Sequence, residues 1–118
     1  MLRKELQEVL MGGDYDEALL PKLSYLKDCV LESSRLDPLS PGAPRVLRQD
    51  LTLHIGHVLP AGSMILGMCS ALNRDPKYFE RPDEFYPERW SEEAKAKRAA
   101  EGNTIADHPM MMKPFSFG

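Results

Sequence analysis

The fold is decided by Pro114-Phe115-Ser116-Phe117-Gly118 together with two earlier stretches, Glu32-Ser33-Ser34-Arg35 and Pro87-Glu88-Arg89-Trp90. The earliest stretch lies in a segment with helical patterning, and the middle one lies in a segment rich in proline and aromatic residues. Each stretch is weakly specific on its own. Their order along the chain, with Arg89 54 positions after Arg35, makes the combination specific.

Glu32 and Arg35 stand three positions apart, so they are neighbours on a helix surface. An exposed pair of this kind is common and contributes about 0.2–0.5 kcal/mol. The helix around them carries apolar residues nearly all round, a pattern that predicts burial. Buried charges are costly unless they are fully hydrogen-bonded, so the pair needs a further partner. A second arginine would suit this role, because a planar guanidinium binds a carboxylate through two hydrogen bonds.

Hydrophobic periodicity predicts helices towards both ends of the chain and short strands between them. The predicted helices are residues 2–11, 22–36 with Pro21 in the first turn, 75–79, and a polar helix that begins at Ser91. The predicted strands are residues 51–55, 58–59 and 63–68, whereas 40–44, 81–90 and 102–112 are predicted to be irregular. Because strands and helices do not alternate along the chain, the pattern predicts an α+β fold.

Composition excludes some classes of protein. The net charge of −3, without basic runs interleaved with aromatics, argues against nucleic acid as a partner. No apolar stretch approaches the roughly 20 residues of a membrane span, and Met1 opens no signal-peptide pattern. Any anchor or targeting segment is therefore expected outside this sequence.

Other residue types that often carry chemistry have simpler interpretations here. Cys29 and Cys69 show no metal-ligand spacing and are predicted to be small buried thiols. His54 and His57 straddle a predicted turn without a third ligand, so zinc is not expected. The methionines at 110–112 are predicted to pack rather than to bind copper.

In this order the three stretches resemble the cytochrome P450 haem-thiolate monooxygenases, as ExxR, PER and the PFxFG that opens the haem loop. The resemblance implies a mostly helical α+β fold, of which residues 1–118 would form a partial domain, incomplete at both ends. This part would contain the ExxR helix, the small β-sheet, the PER meander and the start of the haem loop. The thiolate cysteine is expected four residues after Gly118, so no metal ligand and no catalytic residue is expected within the chain.

The resemblance also implies roles for particular residues. Glu32, Arg35 and Arg89 would form a buried triad that locks the loop region onto the helix. Arg45 would bind a haem propionate, with an exposed strand arginine as the alternative. Phe115 would pack beside the haem, and Gly118 would let the loop turn tightly. The segment that passes over the haem and touches substrate would be Gly42, Ala43 and Pro44.

For the parent protein, the resemblance implies activation of O2 at haem iron and insertion of one oxygen atom into an organic, lipophilic substrate. Two electrons would come from a ferredoxin or from a flavoprotein reductase. The alternative is a non-catalytic truncated or degenerate copy that serves at most as a binding module. The coding sequence after Gly118 distinguishes them, because only an enzyme needs the x-R-x-C-x-G continuation.

Pro21 to Lys27 resembles the helix start of the mitochondrial branch, and the PERW and His108-Pro109 stretches resemble it too. In that branch Lys22 and Lys27 would face an acidic ferredoxin, and the protein would lie at the mitochondrial inner membrane through segments outside this sequence. Leu31 departs from the branch, which usually has a basic residue there. A protein of the endoplasmic reticulum membrane served by the reductase is the alternative.

Overall fold

The computed structural model describes residues 1–108 apart from 12, 14, 15 and 41, and it leaves the side chains of Ala43 and Cys69 undescribed. The helices are α1 (Leu2–Leu10), α2 (Ser24–Leu36), α3 (Cys69–Asn73) and α4 (Glu92–Ala100), with 3₁₀ helices at Glu17–Lys22 and Pro87–Trp90. The strands are β1 (Gly42–Val46), β2 (Leu51–Thr52), β3 (Val58–Leu59) and β4 (Met64–Met68). Helices flanking small antiparallel sheets confirm the predicted α+β class.

The start of α2 differs from the prediction. Pro21 lies inside the 3₁₀ helix Glu17–Lys22, so its predicted place in the first turn of α2 is wrong. Leu23, with φ −91° and ψ 66°, breaks the helical path between the two and has no side chain that can cap α2. The cap comes instead from Glu5 on α1, whose carboxylate accepts from the Tyr25 amide at 2.7 Å and the Leu26 amide at 2.9 Å. A carboxylate at a helix N-terminus satisfies amides that have no partner within the helix.

The two sheets are small and antiparallel. β1 pairs with β4, so that Gly42 lies opposite Met68 and Val46 opposite Met64. The predicted irregular stretch 40–44 is therefore wrong from Gly42 onwards, because pairing with a distant strand extends this backbone despite its proline. β2 pairs with β3 but covers only the first two residues of the predicted strand 51–55. Residues 53–57 form the turn, with the Leu53 amide donating to the His57 carbonyl at 2.8 Å.

The segment between β4 and α4 was only partly predictable. The helix α3 follows β4 directly and was not predicted. The predicted helix 75–79 is a single turn, in which the Asp75 side chain accepts from the Lys77 amide at 2.8 Å. The predicted start of α4 is confirmed, because the Ser91 hydroxyl caps the Ala94 amide.

Gly42 is required where β1 approaches β4. It is buried, and a Cβ atom there would overlap the carbonyl oxygen of Gly67 on the opposite strand. At Gly67 itself an added Cβ would meet nothing within 4 Å. The two glycines of one sheet therefore have opposite tolerance for a side chain.

We expect Gly42→Ala to lower the free energy of unfolding by roughly 1–3 kcal/mol, because the strands must separate to admit the methyl group. Gly67→Ala is the matched control and should change stability little. Urea unfolding of both variants of the full-length protein measures the difference. Equal stability of the two variants would contradict the close approach of β1 and β4 at Gly42.

The core of the described part is formed by aromatic residues of the meander, the mostly irregular segment of residues 74–91 between α3 and α4. Phe79, Trp90 and Ala106 are buried together, and Leu31 of α2 packs against them. The prediction that α2 is buried all round is wrong, since Val30 is 57% exposed. Only one face of α2 packs on the rest of the described chain, and the buried residues on that face are Glu32 and Arg35.

Candidate functional site

Three charged residues meet at the buried face of α2. Glu32 and Arg35 come from α2, and Arg89 comes from the 3₁₀ helix Pro87–Trp90. Glu32 and Arg35 are 0% exposed and Arg89 is 4% exposed. The Glu32 carboxylate lies 2.9 Å from Arg35 Nη2 and 3.0 Å from Arg89 Nε. The structure thus brings the three residues of the expected triad together, across more than fifty positions of sequence.

Both oxygens of the Glu32 carboxylate are saturated with hydrogen bonds. Arg35 donates to each oxygen, through Nη2 at 2.9 Å and Nε at 3.0 Å. Arg89 Nε is shared between the two oxygens, at 3.0 and 3.1 Å. The Tyr86 amide donates to Oε1 at 2.9 Å, and the Trp90 indole N–H donates to Oε2 at 2.9 Å. The last two donors were missed from the sequence, although the indole next to Arg89 in PERW was a signal that could have revealed one.

The remaining guanidinium donors hold the meander around α2. Arg35 donates to the backbone carbonyls of Asn73 at 2.7 Å, Pro82 at 2.6 Å and Glu84 at 3.1 Å. Arg89 donates to the carbonyls of Glu80 at 2.6 Å and Arg81 at 3.0 Å. Arg81 has φ 46°, a left-handed conformation that is uncommon for a residue with a side chain. The two arginines therefore fix the path of an irregular segment that regular secondary structure does not hold.

Burial and hydrogen bonding shift the pKa values of the buried groups in opposite directions. Burial alone would raise the pKa of Glu32, but hydrogen bonds from Arg35, the Tyr86 amide and Arg89 outweigh it and leave this pKa below its ordinary value. The resulting stabilisation is present above about pH 4.3, the ordinary glutamate pKa, and is lost as the pH falls through the lower pKa of the folded state. Burial also lowers the pKa of Arg89, against the opposing effect of Glu32.

Aromatic rings cover the guanidinium groups. The Arg35 guanidinium carbon lies 5.3 Å from the centre of the Phe79 ring. The centre of the Tyr86 ring lies 3.7 Å from the guanidinium carbon of Arg81 and 5.4 Å from that of Arg89. Such cation–π contacts are stronger where water is excluded, so the rings compensate in part for the desolvation of the arginines.

Tyr25 provides a second link between α2 and the meander. Its hydroxyl donates to Glu88 Oε1 at 3.0 Å. Burial, followed by this hydrogen bond and the charge of Glu88, raises the pKa of Tyr25 to about 12. The neutral phenol is therefore the form that the folded state prefers.

We expect the free energy of unfolding to fall more steeply above about pH 10 in the wild type than in Tyr25→Phe. The unfolded chain ionises this phenol near pH 10, whereas the folded chain retains the proton until about 12. The stabilisation is therefore complete below the unfolded pKa and is lost as the pH rises through the folded one. Urea unfolding of the full-length protein across this range provides the measurement, and parallel pH profiles would contradict the Tyr25–Glu88 contact.

The cluster has no arrangement suited to catalysis. Both oxygens of the Glu32 carboxylate accept several hydrogen bonds, and both arginine side chains are buried. Among the described residues no group of three histidine, cysteine, aspartate or glutamate side chains could hold a metal ion. Cys29 is half-buried rather than fully buried, and this burial, with the charge of Asp28, raises the pKa of its thiol. What the arrangement can do is fix one segment of chain against another.

The other expected site residues lie away from this cluster. Arg45 is exposed on β1, and its Nη1 donates to the Pro44 carbonyl at 2.9 Å. Pro44 is exposed, whereas Gly42 is buried against β4. Lys22 and Lys27 are both exposed near the start of α2. The Ala43 side chain, Phe115 and Gly118 lie outside the described residues.

One face of the β1–β4 sheet is apolar and exposed. The register places Pro44, Val46, Met64, Leu66 and Met68 on the same face, because alternate residues of a strand point the same way. Val46 is 65% exposed and Met64 75% exposed, and Arg45 belongs to the opposite face of β1. In the part of the chain that the structure describes, no helix is long and apolar enough to span a membrane.

Comparison with known proteins identifies relatives of the whole chain. Residues 1–118 match the family model described as Cytochrome P450. The chain is 33% identical over 121 residues to the probable cytochrome P450 12a5, mitochondrial, of Drosophila melanogaster, covering 99% of this chain and 22% of that protein. It is 36% identical over 121 residues to the 2-hydroxyisoflavanone synthase of Glycyrrhiza echinata, covering 98% of this chain and 22% of that protein.

A relative from a Streptomyces species also matches the chain. The chain is 41% identical over 86 residues to the cyclooctat-9-en-7-ol 5-monooxygenase of Streptomyces melanosporofaciens, covering 73% of this chain and 18% of that protein. The chain spans about a fifth of the length of the curated relatives it matches.

Proposed function

The chain belongs to the cytochrome P450 family, and on that premise we propose that the protein containing it is a haem-thiolate monooxygenase. It activates O2 and inserts one oxygen atom into an organic, lipophilic substrate. The observation that carries this proposal is the buried Glu32–Arg35–Arg89 cluster within a chain that matches the family model over its whole length. In this proposal residues 1–118 are a partial P450 domain that supplies scaffold rather than the iron ligand.

The cluster acts as a structural lock in this function. Its two guanidinium groups bind backbone carbonyls from residues 73–84, while its carboxylate binds α2 to the 3₁₀ helix Pro87–Trp90. Residues 109–118, with Phe115 and Gly118 in the haem loop, follow this region in the chain. A fixed meander therefore gives the loop a fixed starting point.

One described residue suits the haem group, since the guanidinium of Arg45 is chemically matched to a propionate. The exposed apolar face of β1 and β4 lies on the other side of the sheet from Arg45 and is matched to an apolar substrate. When bound, the haem supplies the oxygen-activating chemistry. Pro44 and Ala43 are proposed to contact substrate; for Gly42 the contact with Gly67 already accounts for the missing side chain.

The test of this function is the carbon monoxide difference spectrum of the reduced full-length protein. We expect the absorption of thiolate-ligated haem, and we expect it to disappear when the cysteine four residues after Gly118 is replaced by serine. Full-length protein that binds no haem, or that has no cysteine at this place, would contradict the proposal.

For the electron donor we propose a ferredoxin, and for the location the mitochondrial inner membrane. One relative is named as mitochondrial, and Lys22 and Lys27 are exposed at the start of α2, where an acidic partner could contact them. A reductase of the endoplasmic reticulum is the competing donor. Reconstitution with each donor at low salt decides between them.

The Lys27→Glu variant tests whether the start of α2 is the docking surface, and Lys97→Glu on α4 is its matched control. Lys97 is likewise exposed, at 71%, but it lies on a different helix. We expect Lys27→Glu to slow ferredoxin-driven turnover at low ionic strength, where charge interactions reach further than the roughly 8 Å of physiological salt. Turnover supported only by the reductase, or equal effects of the two reversals, would contradict ferredoxin docking at α2.

A further inference from the structure

A second arginine–carboxylate pair lies next to the buried cluster. Arg98 is on α4, and Asp107 lies seven residues after the end of that helix. Arg98 Nε donates to Asp107 Oδ2 at 2.8 Å, and Arg98 Nη2 donates to Oδ1 at 2.5 Å. Their side chains are only 16% and 23% exposed. This parallel, partly buried geometry is the strong form of an arginine–carboxylate contact.

Arg98 also contacts the buried cluster directly. Its third donor, Nη1, binds the backbone carbonyl of Arg89 at 2.6 Å. The Arg98 guanidinium therefore binds both Arg89, which contacts Glu32, and Asp107, which directly precedes His108. The Lys97–Glu101 pair on the same helix differs, since its charged atoms are 4.0 Å apart and both side chains are more than half exposed.

The segment between Arg98 and Asp107 is fixed at further points. The Asn103 amide donates to the Arg98 carbonyl at 2.9 Å, and the Asn103 side chain donates to the Tyr78 carbonyl at 3.2 Å. Ala106 is 1% exposed and belongs to the core with Phe79 and Trp90. Residues 103–107 are therefore held against the meander up to the last described turn.

We propose that Arg98 and Asp107 are positioning residues, which set the place where the chain leaves the meander for residues 109–118. The inference rests on the proposed function, in which those residues include the haem loop. Because Arg98 binds Arg89 and Asp107 at once, a displacement of the meander is passed to the start of the loop. The pair acts on the haem only through this backbone.

The experiment compares Asp107→Asn and Arg98→Lys with Lys97→Gln as the matched control, all in the full-length protein. Asp107→Asn retains the shape but removes the charge, and Arg98→Lys retains the charge but removes the planar fork. Hydrogen exchange of the Asn103 and His108 amides is measured first. We expect protection to fall by about tenfold in both variants, the effect of losing one charge-assisted hydrogen bond. Lys97→Gln should leave it unchanged.

The second readout is the carbon monoxide difference spectrum at equal haem content. A mispositioned loop should lower the fraction of haem in the thiolate-ligated form, whereas a purely structural pair would lower thermal stability and leave this fraction unchanged. If Asp107→Asn does not fold, Arg98→Lys alone provides the test.

The outcomes separate this inference from the proposed function. An unchanged thiolate fraction in a folded variant, or protection equal to that of Lys97→Gln, would overturn the positioning role alone. Wild-type protein without a thiolate-haem spectrum would overturn the proposed function and this inference with it.

Discussion

Replacing Glu32 with alanine is expected to leave the full-length protein without a stable, haem-loaded state. Removing one member of a buried charge cluster costs about 3–5 kcal/mol, because its partners stay buried without compensation. Here the loss leaves two guanidinium groups, the Tyr86 amide and the Trp90 indole without their acceptor. Typical folding stabilities are only about 5–15 kcal/mol, so this loss is a large share of the free energy of unfolding. Haem content and thermal unfolding of purified protein provide the measurement.

Glu8→Ala is the matched control for this change. Glu8 also lies on a helix and pairs with a basic residue, Lys4, but their side chains are 66% and 80% exposed. Exposed pairs contribute at most about 1 kcal/mol, so this variant should retain haem and stability. A Glu32→Ala protein with normal haem content and thermal stability would show that the carboxylate does not hold α2 to the meander.

Arg35→Lys is expected to be nearly as damaging, although it conserves the charge. Arg35 makes five hydrogen bonds from three nitrogen atoms, two to Glu32 and one each to the carbonyls of Asn73, Pro82 and Glu84. An ammonium group has three donors on one atom and cannot span these acceptors. Each buried acceptor left without a donor costs about 1–3 kcal/mol, so we expect a loss of at least roughly 3 kcal/mol.

Denaturant unfolding of the Arg35→Lys protein, with haem content alongside, measures this loss. Arg74→Lys is the control, because Arg74 also pairs with a carboxylate, Asp83, at 2.7 Å, but with side chains 46% and 76% exposed. The control should change stability by about 0.5 kcal/mol or less. Equal effects of the two substitutions would mean that the planar geometry of Arg35 is not needed.

The buried charges were the most predictable part of the site. Glu32 and Arg35 are neighbours by helical spacing alone, whereas Arg89 was identified as the third member by the resemblance of its PER stretch to the family. The donors from Tyr86 and Trp90 were not predictable in the same way. Their N–H groups reach Glu32 only through the path of the meander, which local sequence patterns do not specify.

Several local features depended on contacts that are distant in the sequence. β1 forms at Gly42 because β4 pairs with it, and the glycine is needed for that approach rather than for a local turn. The cap of α2 comes from Glu5, nineteen positions before Ser24, so the local signal of Pro21 misplaced the helix start. Helical periodicity gave the apolar character of α2, but it did not reveal which faces are covered, and Val30 is exposed.

Hydrogen exchange of the Tyr86 amide tests the central claim most directly, because it needs no substitution. This amide lies in an irregular segment and donates to the buried Glu32 carboxylate at 2.9 Å. If the cluster locks the meander onto α2, the Tyr86 amide exchanges only when the whole domain unfolds, as core amides do. Exchange at the rate of an unprotected loop amide would contradict the lock.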